Sequence, residues 1–167
     1  MTSQLLRHRG WVLAAACLVV AASCAGEPSD PEAAFEARAG QRWELVRLGS
    51  REIPPPPAST PPDSSGRDLV PGRRPTIRFT ADPPSAGGRS FCNGYGGPYV
   101  LRGASIRISR IESTAVGCDD PDSLETRFFR GLRGARRFEL DSLSLVLIAE
   151  DGTRLVFEPA DPASSRP

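Results

Sequence analysis

"FCNGYGGPYV", Phe91 to Val100, decides how the rest of the chain reads. Ten residues hold a cysteine, an Asn-Gly pair, a Gly-Gly-Pro and two tyrosines. On a chemical reading, Cys92 is a reactive thiol. On a structural reading, Asn93, Gly94, Gly96 and Gly97 supply positions that tolerate positive φ, and Tyr95 and Tyr99 supply packing surface. The flanks favour the structural one. Downstream, "PYVLR" (98–102) and "SIRISRI" (105–111) are β-prone runs around Gly103, the pattern of a hairpin. Ile106 and Ile108 share one face and Arg107 takes the other. Upstream, "TIRFT" (76–80) alternates as a short strand, "ADPPSAGG" (81–88) turns the chain, and "RSFCN" (89–93) starts the next strand, interrupted at Gly94. A sharp turn tied to a neighbouring segment accounts for the stretch. The alternative is an exposed binding loop with Asn93, Tyr95 and Tyr99 as contacts.

Working outward, "QRWELVRL" (41–48) alternates, with Trp43, Leu45 and Arg47 on one face and Glu44, Val46 and Leu48 on the other. Residues 49–75 form a long loop with four successive prolines, favouring polyproline II. The loop reads as an insertion, because Trp43 and Leu45 need a core to pack into. "CDDPDSLETRFFRGLRG" (118–134) carries helix signals: Asp120 to cap, Pro121 at the first turn, and Asp122 and Glu125 at the positive end of the dipole. Leu124, Phe128 and Leu132 recur every fourth residue, and Gly134 stops the helix. "ARRFEL", "LSLVLIA" and "TRLVFEP" then predict three strands, the last two joined by Glu150-Asp151-Gly152, with Asp-Gly a strong hairpin signal.

The N-terminus reads as an address. Arg7 and Arg9 precede an apolar run from Trp11 to Ala22, too short to span a bilayer comfortably as a helix. The run ends in Ala21-Ala22-Ser23 before Cys24, the architecture of a signal peptide (1–23). The ending resembles a bacterial lipobox, which implies lipidation of Cys24. Residues 24–40 then read as a flexible tether and 160–167 as a frayed tail. The expected location is the cell envelope, with the lipid holding the protein to a membrane.

Composition narrows the chemistry. All 21 basic side chains are arginine, the single histidine is His8, and the formal net charge is +1. Nothing in this suggests a nucleic-acid footprint. A chain starting at Cys24 has neither histidine nor lysine. Ser-His-Asp and Cys-His arrangements, histidine-ligated metals and lysine Schiff bases are then closed routes. The expectation is a non-enzymatic protein with no catalytic residue, no metal site and no cofactor. Cys17 leaves with the signal, so Cys92 and Cys118 form an even pair in an exported chain, which points to a disulfide. Free thiols and a redox pair are the competing readings, although a redox pair is normally CxxC.

The order of features resembles the META domain (HslJ-like) family. It runs from "WEL" (43–45) through "PTIRF" (75–79), "SFCNGYGGPY" (90–99) and the I-x-I-x-x-I-x-S-T-x-x-x-C pattern ending at Ser113, Thr114 and Cys118, to the helix with Phe128-Phe129 and a closing L-x-L…DG…L-x-F. The resemblance covers about Gln41 to Pro159. Phe91 stands where the family has glycine. The resemblance implies an α+β, mainly β fold: a small, strongly curved antiparallel sheet with one packed α-helix, here over 41–159 with the insertion at 49–75. It also implies an association with envelope stress and no established catalytic residue. The leading reading is a lipid-anchored envelope protein that binds or steadies another envelope component. The alternatives are a thiol-dependent redox sensor or enzyme using Cys92, and a hydrolase-inhibitor-like module binding through the Asn93–Gly97 loop.

Overall fold

Ten strands and two helices follow the chain in a computed structural model that describes residues 30–55, 74–115 and 123–160. The order is α1 (Pro31–Glu36), β1 (Arg42–Leu48), β2 (Arg51–Glu52), β3 (Thr76–Ala81), β4 (Pro84–Arg89), β5 (Gly94–Arg102), β6 (Ser105–Ile108), β7 (Glu112–Ser113), α2 (Leu124–Gly134), β8 (Ala135–Leu140), β9 (Leu145–Ala149) and β10 (Arg154–Pro159). Neighbours run β10-β9-β8-β6-β5-β4-β3-β1, and β1 also pairs with β10.

That last pairing corrects the expected open, curved sheet. Leu45 lies opposite Phe157 and Leu48 opposite Leu155, so the first and last strands join and the sheet closes into an eight-stranded antiparallel barrel. Closure leaves no long unpaired edge. The two extra strands are short additions, β2 beside β1 and β7 beside β5. No local pattern in the sequence announces a pairing between residues more than 100 positions apart.

The barrel is filled by side chains. Trp43, Leu45, Ile77, Phe79, Tyr99, Ile106, Leu147 and Phe157 are buried in one continuous core. The alternation expected along β1 breaks at a register shift between Leu45 and Arg47. The bulge turns Leu48 inward with Trp43 and Leu45, and leaves Arg47 exposed. Val46 packs instead with Val146, Ile148 and Val156 in a smaller, separate cluster.

The stretch 84–89 is a strand rather than a turn. "PSAGGR" has poor β propensity, yet it pairs with β3 and β5 along its length. Its glycines permit a close approach: a Cβ on Gly88 would sit 2.2 Å from the carbonyl oxygen of Thr76. Residues 90–93, expected to begin a strand, form the connection from β4 to β5. Gly94, Gly96 and Gly97 lie within β5, and among the described glycines positive φ occurs instead at Gly40, Gly49, Gly103 and Gly152. Gly97 is required by contact, since a Cβ there would meet Ser109 O at 2.6 Å. The hairpins around Gly103 and Asp151-Gly152 form as the sequence predicts.

The two helices serve opposite ends of the barrel. α2 begins at Ser123, whose hydroxyl accepts from the Thr126 N–H. This residue, rather than Asp120, is the cap; Asp120, Pro121 and Asp122 lie outside the described residues. Phe128 and Leu132 are wholly buried, and Gly131 lets α2 sit against Leu155. α1 occupies the stretch expected to be tether. Asp30 caps it, and Phe35 enters the core between Phe79 and Phe138, both at 4.8 Å between ring centroids. The packed unit therefore includes Asp30–Glu36, ahead of Gln41.

Candidate functional site at the Ser90–Asn93 turn

The turn between β4 and β5 is closed by its own polar atoms. The Ser90 N–H donates to the Asn93 carbonyl at 2.7 Å, and the Asn93 N–H donates to the Ser90 hydroxyl at 2.9 Å. The loop is thereby tied across its base. Phe91 is left to point towards α2, where its ring meets Phe128 edge-on at 6.2 Å. Phe91 thus becomes part of the helix-packing surface.

Glu125, on the first turn of α2, reaches into this loop and is buried with Ser90 and Asn93. Its Oε1 accepts from the Ser90 hydroxyl, from the Asn93 N–H at 3.1 Å and from Asn93 Nδ2 at 3.1 Å. Its Oε2 accepts from the same Nδ2 at 3.1 Å. Asn93 Oδ1 in turn accepts from the Thr114 hydroxyl at 2.8 Å. One carboxylate therefore joins α2 to the β4–β5 turn, and Asn93 passes the connection on to the segment after β7. No buried side-chain nitrogen or oxygen among the described residues lacks a partner. A buried carboxylate is tolerated because donors replace its water.

Sequence reasoning missed Glu125. An acid in a first helical turn is adequately explained by the helix dipole. Its position one residue after Leu124 in the apolar stripe was the available signal, because the buried arc of a helix is wider than one residue.

Tyr95 and Tyr99 stand four residues apart on β5 and both point inward. Tyr95 packs edge-on against Phe128 and Phe129, each at 5.5 Å, and its hydroxyl donates to the Thr76 carbonyl at 2.9 Å. Burial pushes its phenol well above the ordinary range. Tyr99 packs on Phe79 and Phe35 near α1, and its phenol is raised by burial and then by the charge of Glu36. The structure thus brings Asn93 and Tyr95 together at the α2 end and places Tyr99 at the α1 end. All three are less than one-tenth exposed, at 6, 8 and 6%. Cys92 is half-buried beside Asn93. Cys24 and Cys118 lie outside the described residues.

The arrangement is chemically quiet. The Ser90 hydroxyl is inaccessible and the Glu125 carboxylate is held by four donor contacts. No group of three or more His, Cys, Asp or Glu side chains able to hold a metal occurs among the described residues. No helix among them is long and apolar enough to cross a membrane.

No curated protein matches the sequence. Three solved structures match it. One is an NMR structure of a protein from Burkholderia xenovorans, 18% identical, with a TM-score of 0.58, covering 93% of this chain and 99% of that one. Another is a crystal structure of a DUF4847 family protein from Bacteroides vulgatus, 24% identical, with a TM-score of 0.47, covering 74% of this chain and 96% of that one. The META domain profile matches residues 36–162, a span that begins within α1 and runs past β10. With three quarters of its length inside that match, the chain belongs to the META domain family.

Proposed function

We propose that this META domain protein is a lipid-anchored component of the cell envelope that binds or steadies another envelope component and does no catalysis. The observation that carries the non-catalytic reading is the Ser90–Asn93–Glu125 cluster. The polar groups that could do chemistry are buried and bonded to one another. They act as a rivet between α2 and the sheet. The anchored location is supported by the signal architecture ending at Cys24. A role in envelope stress is what the family resemblance implies.

In this reading Cys92 is bridged to Cys118. The bridge is supported by the even cysteine count of an exported chain. Such a bridge would tie the turn to the segment entering α2, reinforcing the connection that Glu125 makes from the helix. In a loop-closure account a bridge of this span stabilises by about 3 kcal/mol.

The test is the intact mass of protein extracted from its native membrane, alkylated with and without prior reduction. Lipid mass on a chain that starts at Cys24, with labels added only after reduction, supports the reading. Alkylation of Cys92 and Cys118 without reduction would replace it with thiol chemistry at Cys92. A chain without lipid mass would remove the anchor.

A further inference from the structure

The outer wall of the barrel carries a concentration of arginine where β5, β6 and β8 meet. β6 and β8 are joined by one residue pair, Ser105 with Arg137, and the wall opens there into a groove of about 540 Å³. Its rim includes Val100, Arg102, Ser105, Arg107, Arg136 and Arg137. The registers explain the convergence. Arg102 lies opposite Ser105 and Ser105 opposite Arg137, so two guanidinium side chains flank one small residue. In the next row Arg107 lies opposite Val100, which is 57% exposed.

The neighbouring acids are already engaged, one of them with the rim residue Arg136. Glu150 pairs with Arg136 at 3.0 Å, and Glu139 pairs with Arg154 at 2.7 Å. Glu32 accepts from the Gly103 N–H at 2.8 Å. Arg102 and Arg107 have no carboxylate partner among the described residues. Arg137 is felt by Glu139 only as a weaker second neighbour behind Arg154. Three exposed guanidiniums around an exposed valine therefore make a positive surface with an apolar centre.

The groove also has an address. The Gly103–Glu32 bond fastens the β5–β6 turn to the first turn of α1, one residue from Arg102. Val100 lines both this groove and the cleft between β5 and α1. Only six residues separate Cys24 from Pro31, a maximum reach of roughly 25 Å. A membrane holding a lipidated Cys24 would lie within reach of this wall.

We propose that the arginine groove is a membrane-docking surface that takes anionic phospholipid headgroups, with Arg102, Arg107 and Arg137 as the headgroup contacts. It rests on the anchored reading above and deepens it. Lipid and basic surface together would hold one face of the barrel against the bilayer, a two-signal attachment. Phosphodiester oxygens suit guanidinium donors, and Val100 suits the boundary below the headgroups.

The test uses the full chain and the exposed-site variant Arg102→Ser/Arg107→Ser/Arg137→Ser, with thermal unfolding to confirm an unchanged fold. Each is sedimented with phosphatidylcholine vesicles and with vesicles that also contain phosphatidylglycerol. The readout is the ratio of the two partition coefficients and its change in the variant, because the lipid or a leader carrying Arg7 and Arg9 contributes alike to wild type and variant. The wild-type ratio should fall in the variant by on the order of a hundredfold at low salt, corresponding to about 1 kcal/mol for each arginine. High salt should collapse it as well. A wild-type ratio near one, or a ratio the variant keeps, overturns the proposal. Inorganic phosphate that abolishes the ratio at constant ionic strength also overturns it, in favour of a pocket for a single free anion. Mass analysis of Cys24 separates the two readings. A lipidated Cys24 with a ratio near one removes the groove and leaves the anchor, whereas an unmodified Cys24 with the ratio intact removes the anchor and supports the groove.

Discussion

Both carboxylate oxygens of Glu125 accept from the side-chain amide of Asn93, each at 3.1 Å. Neither residue lies in the same element as the other, and both are buried. The contact fixes where α2 sits on the barrel, because a helix packed only by Phe128 and Leu132 could slide without exposing much apolar surface. Directional bonds to a buried charge hold one position.

Glu125→Ala should therefore destabilise the protein by about 2–4 kcal/mol, because Ser90 and Asn93 lose their acceptor inside the core. Glu125→Gln, which keeps the shape and one acceptor, should cost about half as much. Urea unfolding of the variants measures both. Ser90→Ala combined with Glu125→Ala should cost less than the sum of the single changes, the mark of a shared interaction. Additive losses would show that Ser90 and Glu125 act independently.

Gly88→Ala should be among the most damaging single-methyl changes. The added Cβ would overlap the backbone carbonyl of Thr76, the same oxygen that accepts from the Tyr95 hydroxyl. Backbone cannot swing aside as a side chain can, so a loss of about 3 kcal/mol or more is expected. Gly94→Ala is the control. Its nearest neighbour would be 4.0 Å away, and its φ is not positive. It should change stability by less than about 1 kcal/mol. Equal effects at the two positions would mean that the strand relaxes around Gly88.

These glycines mark where the sequence was legible and where it was not. The hairpins at Gly103 and Asp151-Gly152 were readable because positive φ at a turn is a local requirement, carried by the residue itself. Gly88 and Gly97 answer to Thr76 and Ser109 across the sheet, and no window around them contains that information. The apolar stripe of α2 was readable at Phe128 and Leu132, because period alone reveals it. Glu125 was not, since its partners are 32 and 35 positions away. Barrel closure depends on β1 meeting β10, where Leu45 faces Phe157 and Trp43 faces Pro159, the longest-range strand pairing in the fold. Strand existence is encoded locally, whereas pairing across the first and last strands is not.

Phe35→Ala tests whether α1 belongs to the domain. The ring contacts Phe79, Tyr99 and Phe138 and is 4% exposed. Truncation should cost about 3 kcal/mol through lost burial and the cavity left behind. Thermal unfolding of the full chain reads this directly. An unchanged midpoint would return residues 31–36 to the role of a tether.

Acid and base should unfold the protein through different groups. Asp141 accepts from the backbone N–H groups of Leu143 and Ser144, both at 2.7 Å, and then from the Ser144 hydroxyl, which lowers its carboxyl below the ordinary 3.8. Asp151 is lowered in the same way by the Thr153 N–H. A depressed folded value means that these groups contribute stability above the unfolded value and lose it as pH falls through the folded one. Tyr95 has the opposite sign. Its raised phenol contributes stability below its ordinary 10.0, and that contribution is lost as pH rises through the folded value. Asp141→Asn should flatten the dependence of stability on pH below about 4 and lower stability at neutral pH, where the carboxylate's contribution is fully present. Tyr95→Phe should flatten the alkaline limb and lower stability at neutral pH by about 1 kcal/mol, because the Thr76 carbonyl loses a donor. Urea midpoints across the pH range separate the two limbs. If Tyr95→Phe leaves the alkaline limb unchanged, Tyr99, the other raised phenol, must set it instead.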